Sequence, residues 1–444
     1  MALSGLDIYK HLPKTNCRQC GFPTCLAFAM GLAKRQTTLD KCPYITDEAR
    51  GILDSASQPP IRLVSIGSGE NKLEIGNETV LFRHEEKFFH PCGIGFLIED
   101  NEPASAIEEK LETINRLQFE RVGQPLKVDL IAIRQTGSVE KFVGLVEKVS
   151  AASQLGLVLM SDDSVGLRAA AQQISSRRPL LYCVTKDNLS QVAAVAKEFS
   201  LPVVTSATSI EEVSQLAAQL NNLGVGEQIL EIKSNSNSLV ADLWNQTQIR
   251  RLALKNNQRS LGFPTLTLAA DHDEYQEINR AAIAVSKYAG VVILKSIESW
   301  KILALLTLRQ NIYTDPQKPL QVEPKIYPVG NADEKSPVLV TTNFSLTFYT
   351  VLSEVEASKV PSHLVSVDTE GMSVLTAWAA EKFTAESIAN SLNKLGVKEK
   401  VNHNQLVIPG YVAVLSGELE DKSGCRVLVG PKEAAGIPSF LKSL

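Results

Sequence analysis

Apolar and polar positions follow different rhythms along the chain, and the chain divides where the rhythm changes. Short β-branched and aliphatic runs recur at 128–134, 156–161, 179–185, 202–206, 228–232, 263–269, 290–296 and 311–314. Between them, as at 188–198, 210–223, 275–288 and 299–309, apolar residues return every three or four positions. Near-continuous apolar strands separated by amphipathic helices specify a parallel sheet covered on both faces. Eight βα units of this size predict a (β/α)8 TIM barrel over 93–322. An open doubly wound sheet is the alternative compatible with the same rhythm.

A second, shorter α/β pattern follows Pro316, Pro319, Pro324 and Pro328. It reads as strand 337–342, helix 345–357, strand 363–368 and helices 373–382 and 384–395. Strands at 405–408, 411–415 and 425–429 and a short terminal helix complete it. This predicts a Rossmann-like domain over 323–444, and the Pro-rich stretch at 316–328 is the candidate hinge. The absence of Gly-x-Gly-x-x-Gly argues against a dinucleotide. Upstream, 58–92 reads as a β-rich connector, with alternating runs at 62–69 and 78–83, expected to cover one end of the barrel. Residues 1–57 stand apart as an N-terminal module. The fold class expected is α/β in three parts.

Composition narrows the function. Hydrophobic residues are 44% and charged ones 21%, which excludes a disordered or collagen-like chain. Lys plus Arg number 45 against 49 Asp plus Glu, a net charge of −4. That balance disfavours nucleic acid or an anionic membrane as partner. No apolar run reaches the ~18 residues of a membrane span, and no export signal is visible, so a cytoplasmic location is expected.

The cysteines carry the sharpest chemistry. Four of the seven cluster as Cys17-x2-Cys20-x4-Cys25-x16-Cys42, with Pro43 next. Thiolates are soft ligands that suit zinc or iron–sulfur clusters. Zinc sites usually show two matched close pairs. Three close cysteines and one remote Cys-Pro favour an iron–sulfur cluster over a zinc knuckle. Gly21 and Pro23 let the backbone turn tightly beside the sulfurs. Cys92, Cys183 and Cys425 read as small buried residues.

Other candidates sit at the ends of expected strands, where open α/β sheets bind ligands. One loop holds Val340, Thr341, Thr342 and Asn343, with Leu346 in the next helical turn. Another is Asp368-Thr369-Glu370-Gly371-Met372-Ser373, where Gly371 permits positive φ and Ser373 can cap the following helix. A third runs from Gly430 through Gly436 to Pro438. Taken alone, all three are better explained as ordinary βα turns. In the barrel, Asp162-Asp163, Asp271-His272-Asp273-Glu274 and Thr314-Asp315 follow the strands counted second, sixth and eighth. Acidic runs there are better explained as helix starts than as a metal site.

The segment Asp7-Ile-Tyr-Lys-His-Leu-Pro-Lys-Thr-Asn-Cys17-Arg-Gln-Cys20-Gly-Phe-Pro-Thr-Cys25-Leu-Ala-Phe-Ala-Met resembles the N-terminal module of the corrinoid iron–sulfur protein large (gamma) subunit family. The resemblance extends over the whole chain, in the order cluster module, barrel, corrinoid domain. It implies a 4Fe–4S cluster on Cys17, Cys20, Cys25 and Cys42. It implies a cobalamin-type corrinoid at the last domain, with Val340, Thr342, Asn343, Leu346, Thr369, Glu370, Gly371, Met372, Ser373 and Gly436 as positional candidates. His363 and His403 lie outside an Asp-x-His-x-x-Gly motif, so no protein histidine is expected on cobalt. The implied role is a methyl carrier of the reductive acetyl-CoA pathway of anaerobic carbon fixation, rather than a stand-alone enzyme. Cobalt would take a methyl group from methyltetrahydrofolate on a separate methyltransferase and pass it to acetyl-CoA synthase. The cluster would reduce cob(II) back to cob(I). A small subunit is the implied heterodimer partner, and the barrel a scaffold. Two rivals remain. One is a TIM-barrel redox enzyme with an iron–sulfur electron-transfer module, acting through Asp162 or Asp271. The other is a zinc-knuckle interaction protein.

Overall fold

The computed structural model describes residues 5–33, 36–46, 49, 53, 59–233, 238–270, 273–315 and 317–444. The chain forms two compact units, residues 1–119 with 126–313, and residues 120–125 with 314–444. No described helix is long and apolar enough to cross a membrane.

In the first unit, helices Gly5–His11 and Cys25–Ala33 form the N-terminal module. An antiparallel hairpin follows, β1 (Val64–Ile66) with β2 (Leu73–Ile75). The barrel begins at β3 (Gly93–Glu99). A small hairpin comes next, β4 (Gln118–Arg121) with β5 (Gln124–Lys127), whose residues 120–125 belong to the second unit. The barrel continues with β6 (Leu130–Arg134), β7 (Gly156–Met160), β8 (Leu180–Val184), β9 (Val203–Ala207), β10 (Gln228–Ile232), β11 (Thr265–Leu268) and β12 (Ala289–Leu294). All eight barrel strands run parallel, and β12 pairs back onto β3 to close the barrel.

Alternation along each strand builds two cores. Ile94, Phe96 and Ile98 of β3 face the surrounding helices, while Leu97 joins Leu130, Val158, Leu180, Val204, Ile229 and Val291 inside. The β1–β2 hairpin seals the amino end of that interior. Val64, Ile66 and Ile75 belong to the same inner cluster. The backbone is tied down as well, by Gly67 N–H to Arg178 O at 2.9 Å and Arg62 N–H to Gly262 O at 3.0 Å.

Two barrel elements differ from expectation. The first strand is Gly93–Glu99, which the apolar rhythm misses because two glycines interrupt it. A Cβ on Gly95 would stand 2.8 Å from Leu130 Cβ and 2.9 Å from Ile293 Cδ1, so tight packing between neighbouring strands demands glycine there. The run 311–314 is no strand. Residues 311–313 end the helix Ser299–Tyr313, whose Arg309 donates to Cys92 O at 2.9 Å and Lys127 O at 2.7 Å and pairs with Asp129. Asp162 therefore follows the third strand, and β11 is the seventh. The run 78–83 is also not a strand.

The second unit holds β13 (Ile326–Val329), β14 (Val338–Thr342), β15 (Ser362–Val367), β16 (Gln405–Ile408) and β17 (Arg426–Val429), in spatial order β13-β15-β14-β16-β17. Only β13 is antiparallel. Val338, Val340, Val365 and Ile408 pack on one face against Ala377, Phe383, Ile388 and Leu419. Leu339, Leu364 and Val407 pack on the other against Phe348, Val355 and Ile437. The sheet is thus sandwiched between helices. Residues 411–415 form a 3₁₀ turn, Gly410–Leu415, instead of a strand, and it tucks Val412 and Leu415 into the first of those cores. The Pro-rich stretch is bonded to this unit from Leu320 onward, through Ser345 N–H to Leu320 O and Val322 N–H to Asn343 O, both 2.9 Å.

The hairpin seal is testable. Ile66→Ala removes a fully buried side chain from the barrel floor. It should cost about 2–5 kcal/mol and lower the melting temperature of the barrel transition in calorimetry. An unchanged transition would mean that the hairpin is not part of the cooperative core.

Candidate functional site

The N-terminal module is built around sulfur. Cys25 and Cys42 are buried with Ile8, Leu12, Phe28 and Leu39, and Cys20 and Phe22 pack against them. Cys17 is half-buried in the loop before. That loop curls through left-handed residues Lys14, Asn16, Arg18 and Gly21. Asn16 clasps the start of the second helix from both sides: its Oδ1 accepts from Cys25 N–H at 2.8 Å, and its own N–H donates to Cys25 Sγ at 3.4 Å. Cys25 is the first residue of a helix, so negative charge on its sulfur lies at the positive end of the dipole. The donor set, apolar wall and amide donor suit an iron–sulfur cluster. Among the described residues, no three His, Cys, Asp or Glu side chains converge to metal-ligand positions.

In the second unit, a cavity of about 340 Å³ opens at the carboxyl ends of β14, β16 and β17. The chain leaves β14 towards β15 on one side, and β16 lies on the other. The cavity thus sits at the switch point, where open α/β sheets bind ligands. Its lining is mainly apolar, including Val340, Leu346, Leu375, Pro409, Pro431 and Phe440. Thr341 is also among the lining residues, and its Oγ1 is buried with no hydrogen-bond partner among the described residues. Ser366, its neighbour across the sheet, carries another such hydroxyl. Buried polar atoms without partners are costly, and a ligand that bonds them recovers the loss. The helix Ser345–Ser358 begins at this cavity with no side chain capping it. Tyr411 donates from its hydroxyl to Glu433 at 2.5 Å, joining the turn after β16 to the loop after β17, and the carboxylate raises the phenol's pKa.

Of the residues expected from sequence, Val340, Leu346 and Ser373 line the cavity. Ser373 stands at the N-cap of Val374–Ala379 but does not cap it; its hydroxyl bonds Thr376 Oγ1 at 3.0 Å. Thr342, Asn343, Thr369, Glu370, Gly371, Met372 and Gly436 are not among the lining residues. Asn343 has another task. Its Oδ1 accepts from Thr369 N–H at 3.0 Å, Thr369 Oγ1–H at 3.0 Å and Gly371 N–H at 3.1 Å. Its Nδ2 donates to Asp368 Oδ1 at 3.0 Å and Gln321 Oε1 at 3.2 Å. It therefore braces the 368–373 loop. Gly371 has φ +75°, and a Cβ there would meet Gln321 Cγ at 2.7 Å. Residues missed from sequence include Tyr411, hidden by reading 411–415 as a strand, and Phe440 on the terminal helix.

Comparison with known proteins decides the family. The "CO dehydrogenase/acetyl-CoA synthase delta subunit" family model matches residues 63–441. The chain is 45% identical over 445 aligned residues to the "Corrinoid/iron-sulfur protein large subunit" of Moorella thermoacetica, covering 100% of this chain and 99% of that protein. The chain belongs to the corrinoid/iron–sulfur protein large-subunit family. Archaeal relatives are named "Acetyl-CoA decarbonylase/synthase complex subunit gamma". The one from Methanothermobacter thermautotrophicus is 36% identical over 100% of this chain and 99% of its own length. The one from Methanocaldococcus jannaschii is 33% identical over 99% and 96%. A second family model, "Putative Fe-S cluster", matches residues 12–44, the stretch that contains all four clustered cysteines.

Two further features of this family member concern residues singled out above. The histidines of the second unit lie towards the amino ends of its strands. His363 Nε2 bonds Asp333 O at 2.9 Å and His403 Nε2 bonds Ser336 O at 3.0 Å, and neither lines the cavity. In the barrel, Asp163 caps the helix Ser164–Ile174 and Asp273 caps Glu274–Ser286, each accepting two backbone N–H groups. Asp162 lines the barrel mouth. Asp271 and His272 lie outside the described residues.

Asn343→Ala should release the 368–373 loop. The amides of Thr369 and Gly371 should exchange with deuterium faster, at a cost of about 2–3 kcal/mol in stability. Unchanged protection at both amides would refute the brace.

Proposed function

We propose that this chain is the corrinoid- and cluster-bearing subunit of a methyl-carrying complex that works with acetyl-CoA synthase. Its full-length match to large-subunit relatives supports the carrier role. The observation that carries the assignment to residues is a cavity at the switch point with a buried, unsatisfied Thr341 hydroxyl and no histidine in its lining. That combination suits a corrinoid held by apolar contacts and hydrogen bonds to its amide side chains, with no protein histidine on cobalt. Cys17, Cys20, Cys25 and Cys42 would hold the 4Fe–4S cluster. When bound, the corrinoid supplies the cobalt that accepts and gives up the methyl group, and the cluster supplies the electron that restores a lapsed cobalt.

The protein's own residues place the cofactor and protect it. Val340, Leu346, Leu375 and Phe440 exclude water from the bound face. Thr341 donates or accepts one hydrogen bond from the cavity wall, and Asn343 keeps the adjoining loop in shape. Leu346, Leu375 and Tyr411 remain 43–49% exposed at the rim, a surface suited to cover by the small subunit. The methyl donor in this reading is methyltetrahydrofolate, presented by a separate methyltransferase. Both transfers need the outer face of the cofactor, so the second unit has to move during the cycle.

The deciding measurement is metal content of protein purified without oxygen together with its small subunit. About four irons and one cobalt per chain are expected. Iron without cobalt, even after incubation with a corrinoid, would remove the carrier function; zinc alone would remove the cluster as well. A second test isolates the cavity. Thr341→Val should leave the cofactor-free protein as stable or about 1 kcal/mol more stable, and weaken corrinoid binding about fivefold. Unchanged corrinoid affinity would separate that hydroxyl from the site.

A further inference from the structure

Cys25 is bound at both its backbone and its sulfur by one residue nine positions earlier. The Asn16 side chain accepts from Cys25 N–H at 2.8 Å, and the Asn16 N–H donates to Cys25 Sγ at 3.4 Å. The two bonds run in opposite directions and lock the loop to the start of the helix Cys25–Ala33. The side-chain bond takes one of the amides that a helix start leaves free, while Thr24 Oγ1 takes that of Ala27 at 3.0 Å.

Asparagine suits this place for two reasons. The residue sits at φ +49°, a left-handed conformation that Asn enters more readily than most side chains. Its short amide then carries an acceptor close to its own backbone, so one residue can both give and take a hydrogen bond at Cys25. Asn16 also precedes Cys17 directly, and the clasp therefore governs how the loop carrying Cys17 meets Cys25. Asn16 is exposed, so replacing it leaves the buried core of Ile8, Leu12, Phe28 and Leu39 intact.

We propose that Asn16 is a positioning residue that raises the reduction potential of the cluster through Cys25, an inference that rests on the 4Fe–4S reading above. Hydrogen bonds to the sulfurs are among the determinants of cluster potential. Reduction adds one electron, and part of that charge falls on the ligand sulfurs. A hydrogen bond strengthens as its acceptor becomes more negative. The Asn16 N–H thus favours the reduced state over the oxidised one. The side-chain bond holds that N–H in place. Cutting it weakens the N–H···S bond while leaving all four cysteines present.

The test uses full-length protein purified without oxygen together with its small subunit. Selective nitrogen-15 labelling of asparagine reads the bond directly, because Asn16 has no other asparagine near it in sequence; the next is Asn71. After reduction with titanium(III) citrate, pulsed electron paramagnetic resonance should show a nitrogen-15 coupling to the cluster, and Asn16→Gly should lack it. Glycine accepts the left-handed conformation without strain, so that variant removes the clasp alone. In a mediated redox titration it should retain its iron and shift the one-electron equilibrium about tenfold, to a potential about 59 mV below the parent. A reduced parent cluster with no nitrogen-15 coupling would overturn the proposal. So would an unchanged potential in an Asn16→Gly protein that retains its iron. If that variant loses its iron, the parent's coupling decides alone. A parent without iron would remove the 4Fe–4S reading itself, and the inference with it.

Discussion

Parallel strand pairing fixes where chemistry can occur in this chain. Every barrel strand and four of the five strands in the second sheet run parallel to their neighbours. A parallel strand must return by a crossover, and those crossovers cover both faces of the sheet with helices. Only the ends of the strands stay open. At the carboxyl ends the loops are lined with helix N-termini, which offer N–H groups that no helix residue can satisfy. Two cavities, about 540 Å³ in the barrel and about 340 Å³ in the second sheet, open there, and a third of about 490 Å³ lies at the amino ends of β14 and β16. At the amino end of the barrel the β1–β2 hairpin fills the opening with Ile66 and Ile75. Sealing one end and leaving the other polar gives the barrel a direction.

The same constraint explains which polar groups are settled and which are not. Along the exit from β14, Asn343 uses both ends of its amide on the neighbouring loop and on Gln321, five hydrogen bonds in all. One residue away, the Thr342 hydroxyl is fully buried with no hydrogen-bond partner among the described residues, and so is that of Thr341 beyond it. Leaving such groups unsatisfied costs about 1–3 kcal/mol each. A ligand that bonds the Thr341 hydroxyl in the folded state alone would stabilise that state by mass action.

Much of this fold was legible because parallel strands buried on both faces write continuous apolar runs, and the helices between them write a period near 3.6. The failures have one origin each. Gly93-Ile-Gly-Phe reads as a turn, yet the missing side chain at 95 is what lets β3 lie against Leu130. Asn311-Ile-Tyr-Thr has strand-like residues, but Arg309 anchors the helix before it to three backbone or carboxylate oxygens, and Tyr313 packs on Phe88 with ring centres 6.0 Å apart. Tertiary contacts outweigh propensity in both. The edge strand β13 was hidden by Pro328, tolerated there because an edge strand has a side with no ladder to complete.

The candidate sites were legible to different depths for a chemical reason. Cysteine spacing is informative because few structures need four thiols so arranged. Strand-end Asn, Thr, Gly and Ser are not, since the same residues serve ligands and braces alike. What separates them is whether their hydrogen bonds close within the protein. Those of Asn343 and Thr369 close, so they shape the loop. Among the described residues, that of Thr341 does not, nor do all of those of Arg280 and Gln246 in the barrel. That distinction belongs to the folded chain, because it depends on partners distant in sequence: Thr369 lies 26 residues from Asn343, and Thr267 lies 21 from Gln246. A strand-end polar residue becomes a candidate ligand contact only once its internal partners have been counted.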